Sequence, residues 1–206
     1  TSYIRSLIRK GTLEIGAPVK EAVLSEQLGI SRAPIREALQ VLVQEGLITS
    51  EPQKGKHVRQ MTGKEIYDSY VVAGILEGAG VAESLPLWTE ANMETFRAVV
   101  RQMEGKISYA TKLDELAEID ELFHATLFMA CDNTRLVEMA RTSCATISKY
   151  LYYQHWITMF TPREYADRHH AVAEAVYSRD VKHVETALRD HYKETGLRMA
   201  QFGKEA

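Results

Sequence analysis

Residues 29–48 read GISRAPIREALQVLVQEGLI. Gly29 and Gly46 bracket a segment in which Ile35, Leu39, Leu42 and Val43 recur at helical spacing, so one stripe of it is built for burial. Ser31 stands where an N-cap belongs, and Pro34 falls in the first turn, where a missing N–H costs little. Arg32 and Arg36 lie four apart and therefore share a face that points away from the stripe. Such a face has two readings. It belongs either to a surface helix with a local pair, such as Arg36 with Glu37 or Gln40, or to a helix whose first turns meet a polyanion.

The neighbouring sequence bears on that choice. Ile4, Leu7 and Ile8 form an earlier helical stripe that stops at Gly11, and Val23, Leu24 and Leu28 form a second one closed by Gly29. After the quoted segment, LITS and KHVRQ read as strands around the turn EPQKG. Residues 1–61 are thus expected to form three helices and a β-hairpin, a winged helix-turn-helix. In that plan the third helix enters the major groove, and arginine pairs bidentately with guanine O6 and N7, which makes Arg32 and Arg36 the candidate base readers. Charge supports the assignment softly: the first 60 residues hold nine basic and six acidic side chains, a net +3, against −3 for the whole chain.

Composition narrows the class further. With 45% hydrophobic residues in a chain of 206, one large or two small cores can be buried, which argues against a disordered tail. No apolar run approaches the roughly 18 residues of a membrane helix and no basic-then-apolar leader opens the sequence, so a cytoplasmic protein without a membrane partner is expected. Cys131 and Cys144 form no metal-type pair, which fits a reducing compartment.

The run LGISRAPIREALQVLVQEGLI followed by PQKGKHV closely resembles the GntR family of bacterial winged-helix repressors. The resemblance implies that Arg32 and Arg36 touch DNA, with Ser31 near a phosphate and Lys54, Gly55 and Lys56 at the tip of the wing. Ala33 stands where the family has threonine, which removes one phosphate contact. A dimer reading a short inverted repeat of double-stranded DNA is the expected partner arrangement.

Residues 62–206 carry a different pattern. Thr62 and Glu65 form a capping box ahead of a long helix, further helices are expected over about 89–108, 113–130 and 133–155, Thr161 to Glu164 opens a fifth, and Asp180 caps a sixth. The expected fold class is mainly α, a winged helix-turn-helix followed by an all-α six-helix bundle. No GxGxxG, GxxxxGK, GxSxG or HExxH motif occurs, and Gly74, Gly78 and Gly80 in GILEGAG sit in a helical pattern, where small residues let another helix approach.

Four residues of the bundle carry metal chemistry. Asp120 and His124 are four apart on one helix, His169 shares an inward stripe with Val172 and Val176, and His191 lies on a partly apolar face. Each histidine alone reads equally as a satisfied core residue. Together, three imidazoles and a carboxylate from three helices make an N3O donor set suited to zinc, nickel or manganese. The motifs D-x-x-F-H, H-x-x-V-x-x-A-V and A-x-x-x-H resemble the FCD ligand-binding domain of the FadR-type branch. The resemblance implies that Asp120, His124, His169 and His191 are the ligands and that a small, carboxylate effector is sensed. One departure touches the effector: Ala73 stands where many members have an arginine, four residues before Glu77. The expected function is a ligand-responsive transcription regulator, a homodimeric repressor. Two alternatives remain at this stage, a metal-dependent hydrolase with an appended helix-turn-helix and a regulator whose metal is purely structural.

Overall fold

The computed structural model describes residues 1–205. Helices α1 (Ser2–Arg9), α2 (Glu21–Leu28) and α3 (Arg32–Gln44) precede strands β1 (Ile48–Glu51) and β2 (Gly55–Val58). The strands pair antiparallel, with Ile48 opposite Val58 and Glu51 opposite Gly55. Their turn needs left-handed backbone, adopted by Gln53 (φ 66°) and, at no steric cost, by Gly55 (φ 86°). The sequence reading misses a third edge to this wing. Residues 16–19 run along β2, where the Val19 N–H donates to the Lys56 carbonyl at 2.8 Å and the Val58 N–H to the Ala17 carbonyl at 3.0 Å. Pro18, a residue confined to sheet edges, hides the pairing in the sequence. Ser31 occupies the N-cap position of α3 with extended backbone, yet its hydroxyl makes no capping bond. Burial of Ile35, Leu39 and Leu42 holds the helix instead.

The bundle comprises α4 (Gly63–Ser84), α5 (Glu90–Ile107), α6 (Ala117–Leu127), α7 (Thr134–Ser143), α8 (Tyr153–Trp156), α9 (Pro162–Ser178) and α10 (Val181–Ala200). The expected caps form: Thr62 with Glu65, Thr161 with Glu164, and the Asp180 carboxylate on the Lys182 and His183 N–H groups. The expected fourth helix is not continuous. It breaks into α7, a π-helical turn at Ile147–Leu151, and α8. A π turn adds residues per turn and rotates the side chains that follow. Leu151, Tyr152 and Tyr153 are therefore buried in succession, while Cys144 and Ser148 line the bundle interior.

Helices α4 and α10 pack along their length through complementary notches. A Cβ on Gly74 would lie 2.9 Å from Tyr192 Cβ, and one on Gly196 would lie 2.8 Å from Tyr70 Cβ. Each glycine thus seats a tyrosine of the opposite helix. Residues 63–87 are long and apolar enough, at mean hydropathy 1.2, to match a membrane span by length and composition, contrary to the expectation from the sequence. Half of that window is buried inside the fold, and the packing of α4 on α7 and α10 makes it the central helix of the bundle.

Two hydrophobic cores result. One lies within the bundle and contains Phe96, Ile119, Phe123, Val172 and Leu188. The other joins Ile4, Ile8 and Leu39 of the first helices to Ile147, Leu151 and Tyr152 of the π turn region and to Met199. Polar contacts reinforce this seam. The Tyr152 hydroxyl accepts from the Met61 N–H (3.1 Å) and donates to its carbonyl (3.3 Å), and the Arg9 guanidinium lies 4.1 Å above the Tyr153 ring. The winged helix is therefore docked on the bundle through the segment that follows α7.

Candidate metal centre and nucleic-acid interface

Helices α6, α9 and α10 bring His124, His169 and His191 together, with one ring nitrogen of each within 4.8 Å of the others. Donors bound to one zinc ion at 2.0–2.1 Å would lie about 3.3 to 4.2 Å apart, so the three imidazoles need only a small inward shift. Asp120 joins them through His169, with Oδ1 3.1 Å from Nε2. All four line a cavity of about 920 Å³ that extends to Ser148, Tyr153 and Arg9. His170, one residue on, turns outward and faces Glu104 at 3.2 Å with its side chain 40% exposed.

The rings of His124 and His169 are held by the surrounding fold. The His124 Nδ1 meets Glu77 Oε1 at 2.6 Å, and Tyr192 donates to the other Glu77 oxygen at 2.7 Å. Arg168 braces α10 through the His191 carbonyl (2.5 Å), Thr195 (2.6 Å) and Glu194 (2.9 Å). His169 has an oxygen acceptor at both ends: Nδ1 donates to the Tyr165 carbonyl at 2.8 Å while Nε2 faces the Asp120 carboxylate. A neutral ring has one proton for these two acceptors, and burial lowers the His169 pKa despite the Asp120 carboxylate beside it. The His191 Nδ1 is buried and has no hydrogen-bond partner among the described residues. A divalent cation at the convergence of these atoms answers both deficits, and three nitrogens with a carboxylate suit its chemistry, so the residues fit a metal.

Glu77, Tyr165, Arg168 and Tyr192 were not recognised from the sequence as members of the site. Glu77 alone left a signal, being a charged residue in the middle of the apolar run VVAGILEGAGVA and 3% exposed in the fold.

The electrostatics predict a pH signature of the metal-free protein. Burial opposes the charge on His124, but the Glu77 and Asp120 carboxylates outweigh it and raise the pKa from 6.5 to about 9. Stability from this ion pair is complete below pH 6.5 and is lost as pH rises through 9. His169 and His191 behave oppositely: burial lowers both, so the unfolded chain binds more protons near pH 6 and stability falls as the pH drops below 6.5. In chelator, the melting temperature is expected to peak near pH 6.5 and to fall from there up to about pH 9, and His124→Gln should remove that alkaline limb. A His124→Gln profile that matches the wild type would show that Glu77 and His124 are not the pair responsible.

In the winged domain, Arg32 and Arg36 are both exposed on α3. Arg36 makes neither of the local pairs considered from sequence; it reaches Glu21 of α2 at 3.2 Å. Lys56 approaches the same carboxylate at 3.1 Å, so Glu21 joins α2, α3 and β2, and the two cations hold it below the usual carboxylate range. Lys54 is 74% exposed near the wing tip, with Glu51 at 2.8 Å, and Gly55 opens β2 beside it. Ser31, Arg32, Arg36 and Lys54 lie exposed on this domain, whereas Lys56 is only 20% exposed.

A winged helix-turn-helix with exposed arginines on its third helix, docked on a helical bundle with an internal polar cavity, defines a two-part transcription regulator. Residues 1–58 match the model for bacterial regulatory proteins of the gntR family, and residues 68–194 match the FCD domain. The chain belongs to the GntR family and carries an FCD domain; it is a transcription regulator and not an enzyme. It is 26% identical over 193 residues to the transcriptional repressor RspR of Escherichia coli K12, covering 92% of this chain and 82% of that one. The probable D-xylose utilization operon repressor of Paenarthrobacter nicotinovorans is 31% identical over 138 residues, 66% of this chain and 59% of that protein. Among solved structures, E. coli McbR/YncC superposes with a TM-score of 0.71 over 98% of this chain and 95% of its own, at 19% identity, which speaks for the fold.

Proposed function

We propose that this chain is a homodimeric, cytoplasmic repressor that binds a divalent metal through Asp120, His124, His169 and His191 and a small carboxylate effector at that metal. The single observation behind this reading is His169, a buried ring with oxygen acceptors at both nitrogens. The domain boundary falls near residue 61, where the Met61 backbone is held by Tyr152. A purely structural metal would sit in a closed site, whereas these donors line a cavity of about 920 Å³, which favours an exchangeable ligand. Ala73 is buried where the family places an arginine, and the Arg168 guanidinium is committed to α10, so the metal itself is the anchor for an acid. A hydrolase is not favoured, because the matched domains and the relatives are those of transcription regulators. Names of relatives support repression, among them the gluconate operon transcriptional repressor of Bacillus subtilis.

The effector acts by population shift: it draws the cavity wall and the π turn into one arrangement, and the turn carries α1 and the winged domain with it. Exposed Val72 and Ile75 on α4 supply an apolar face for the second copy. Metal analysis with native mass spectrometry tests the reading. One divalent ion per chain and a dimer mass are expected, with a small acid retained; a purified, metal-free chain whose melting is untouched by zinc, nickel and manganese would overturn it.

A further inference from the structure

The chain passes from the winged domain to the bundle through a short run, from Val58, where β2 ends, to Gly63, where α4 begins. A run of that length could let the winged domain swing, but its backbone is held from two sides. The Tyr152 hydroxyl, just after the π turn, bonds both the N–H and the carbonyl of Met61. On the other side, the segment that follows α10 lies parallel to the run. The Lys204 N–H donates to the Met61 carbonyl at 3.0 Å, and the Gly63 N–H donates to the Lys204 carbonyl at 3.4 Å. Gly63 is the first residue of α4, so its N–H has no acceptor within the helix and finds the Lys204 carbonyl instead. Two glycines make this approach possible: a Cβ on Gly203 would fall on the Gly63 backbone, and one on Gly63 would stand 2.6 Å from the Ala200 carbonyl oxygen. The segment is itself anchored, because the Phe202 ring stacks on His155 at 4.1 Å and packs against the core shared by the two domains.

We infer that residues 202–204 form a strap that fixes the angle of the winged domain on the bundle and so sets the spacing at which two copies of α3 reach DNA. The part that concerns spacing rests on the dimer reading above. A segment that merely ended α10 would need only the Gly203 N–H on the Ala200 carbonyl, a bond made within itself. The two bonds to residues 61 and 63 are additional, and they tie α10 to the linker. Both holds start from elements that line the cavity: Tyr152 follows the turn that carries Ser148, and α10 brings His191, Tyr192 and Thr195 to the cavity wall. A shift of either element therefore reaches the winged domain through the linker backbone, by a route separate from α1. A fixed angle raises the effective concentration of the second winged domain at a half-site of matching spacing and lowers it at any other spacing.

Two variants break the strap without entering the core. Gly203→Ala places a methyl group against the linker backbone, and Lys204→Pro deletes the N–H that Met61 accepts, at a position whose side chain is exposed. Hydrogen exchange gives the first readout. The Gly63 amide should be protected in wild type and should exchange about tenfold faster or more in both variants, with the interiors of α4 and α10 unchanged. A Gly63 amide that is unprotected in wild type, or equally protected in both variants, overturns the strap; so does a loss of protection that spreads through α10, which would make the segment an ordinary helix end. DNA gives the second readout. A duplex selected from a random pool by the wild-type protein is rebuilt with one or two base pairs added between its half-sites. Wild type should lose about tenfold in affinity or more, whereas both variants should lose about threefold or less and should bind an isolated half-site as wild type does. Variants that keep the wild-type dependence on spacing overturn the orienting role, and weaker binding of the isolated half-site overturns it too, by placing the damage in the winged domain. A wild type indifferent to spacing overturns the dimer reading and the spacing role with it, while the Gly63 amide still reports whether the linker is held.

Discussion

His124→Ala is expected to abolish the rise in melting temperature that zinc gives the wild-type protein. At zinc a hundredfold above its dissociation constant, binding to the folded state alone adds about 2.7 kcal/mol. A domain of this size gains roughly 2–4 °C per kcal/mol, so the rise should be about 5–11 °C. Removing the His124 ring takes one of three clustered nitrogens and frees Glu77, which then stands buried beside Tyr192 alone. The rise should vanish, and affinity for random DNA should stay nearly unchanged, because the basic face lies on the winged domain. His169→Ala should lose the rise in the same way. His170→Ala should behave like wild type, since that ring is half-exposed and faces Glu104. Should His170→Ala lose the metal while His169→Ala keeps it, the register of the site along α9 would be wrong by one residue; retention in both would remove α9 from the site.

The burial of His169 rather than His170 was legible because helical periodicity separates two adjacent histidines: His169 follows the stripe of Val172 and Val176, and His170 does not. The caps were legible for a similar reason, since Thr62, Thr161 and Asp180 act on N–H groups two or three residues away. Interactions between distant segments left weaker traces. The break after α7 has no glycine or proline to announce it; the π turn exists because Leu151, Tyr152 and Tyr153 find a buried place against the winged domain and the bundle, which is a tertiary fact. Glu21 was read as one acidic charge among six, and nothing local shows that it gathers Arg36 and Lys56 across 15 and 35 residues. Tyr165 and Tyr192 belong to the site through one carbonyl and one hydroxyl, and neither residue stands out from the tyrosines that merely fill the core.

The same Glu21 contact shapes what substitution of Arg36 should do to DNA binding. In the free protein the guanidinium is 67% exposed and lies 3.2 Å from Glu21, so it is oriented along α3 yet kept only by a solvent-screened pair worth well under about 1 kcal/mol. A bidentate contact to guanine is worth about 1–3 kcal/mol of discrimination, enough to replace that pair. Arg36→Ala is therefore expected to weaken operator binding by roughly 5- to 150-fold and to relax preference at one base pair in each half-site. Lys54→Ala should weaken all sequences alike and lower the salt dependence by about one counterion, because an ammonium near the wing tip meets phosphate rather than a base edge. Glu21→Gln separates orientation from charge: it releases Arg36 and Lys56 together, so binding to random DNA should tighten while the preference for the operator narrows. Competition binding against operator and random duplexes at two salt concentrations reads all three. An equal loss on both duplexes for Arg36→Ala would remove it from base readout and leave Arg32, one turn earlier on the same exposed face, as the reader. The proposed two-fold dimer would present this face twice, so the footprint should carry dyad symmetry, and protection without a dyad would count against the dimer.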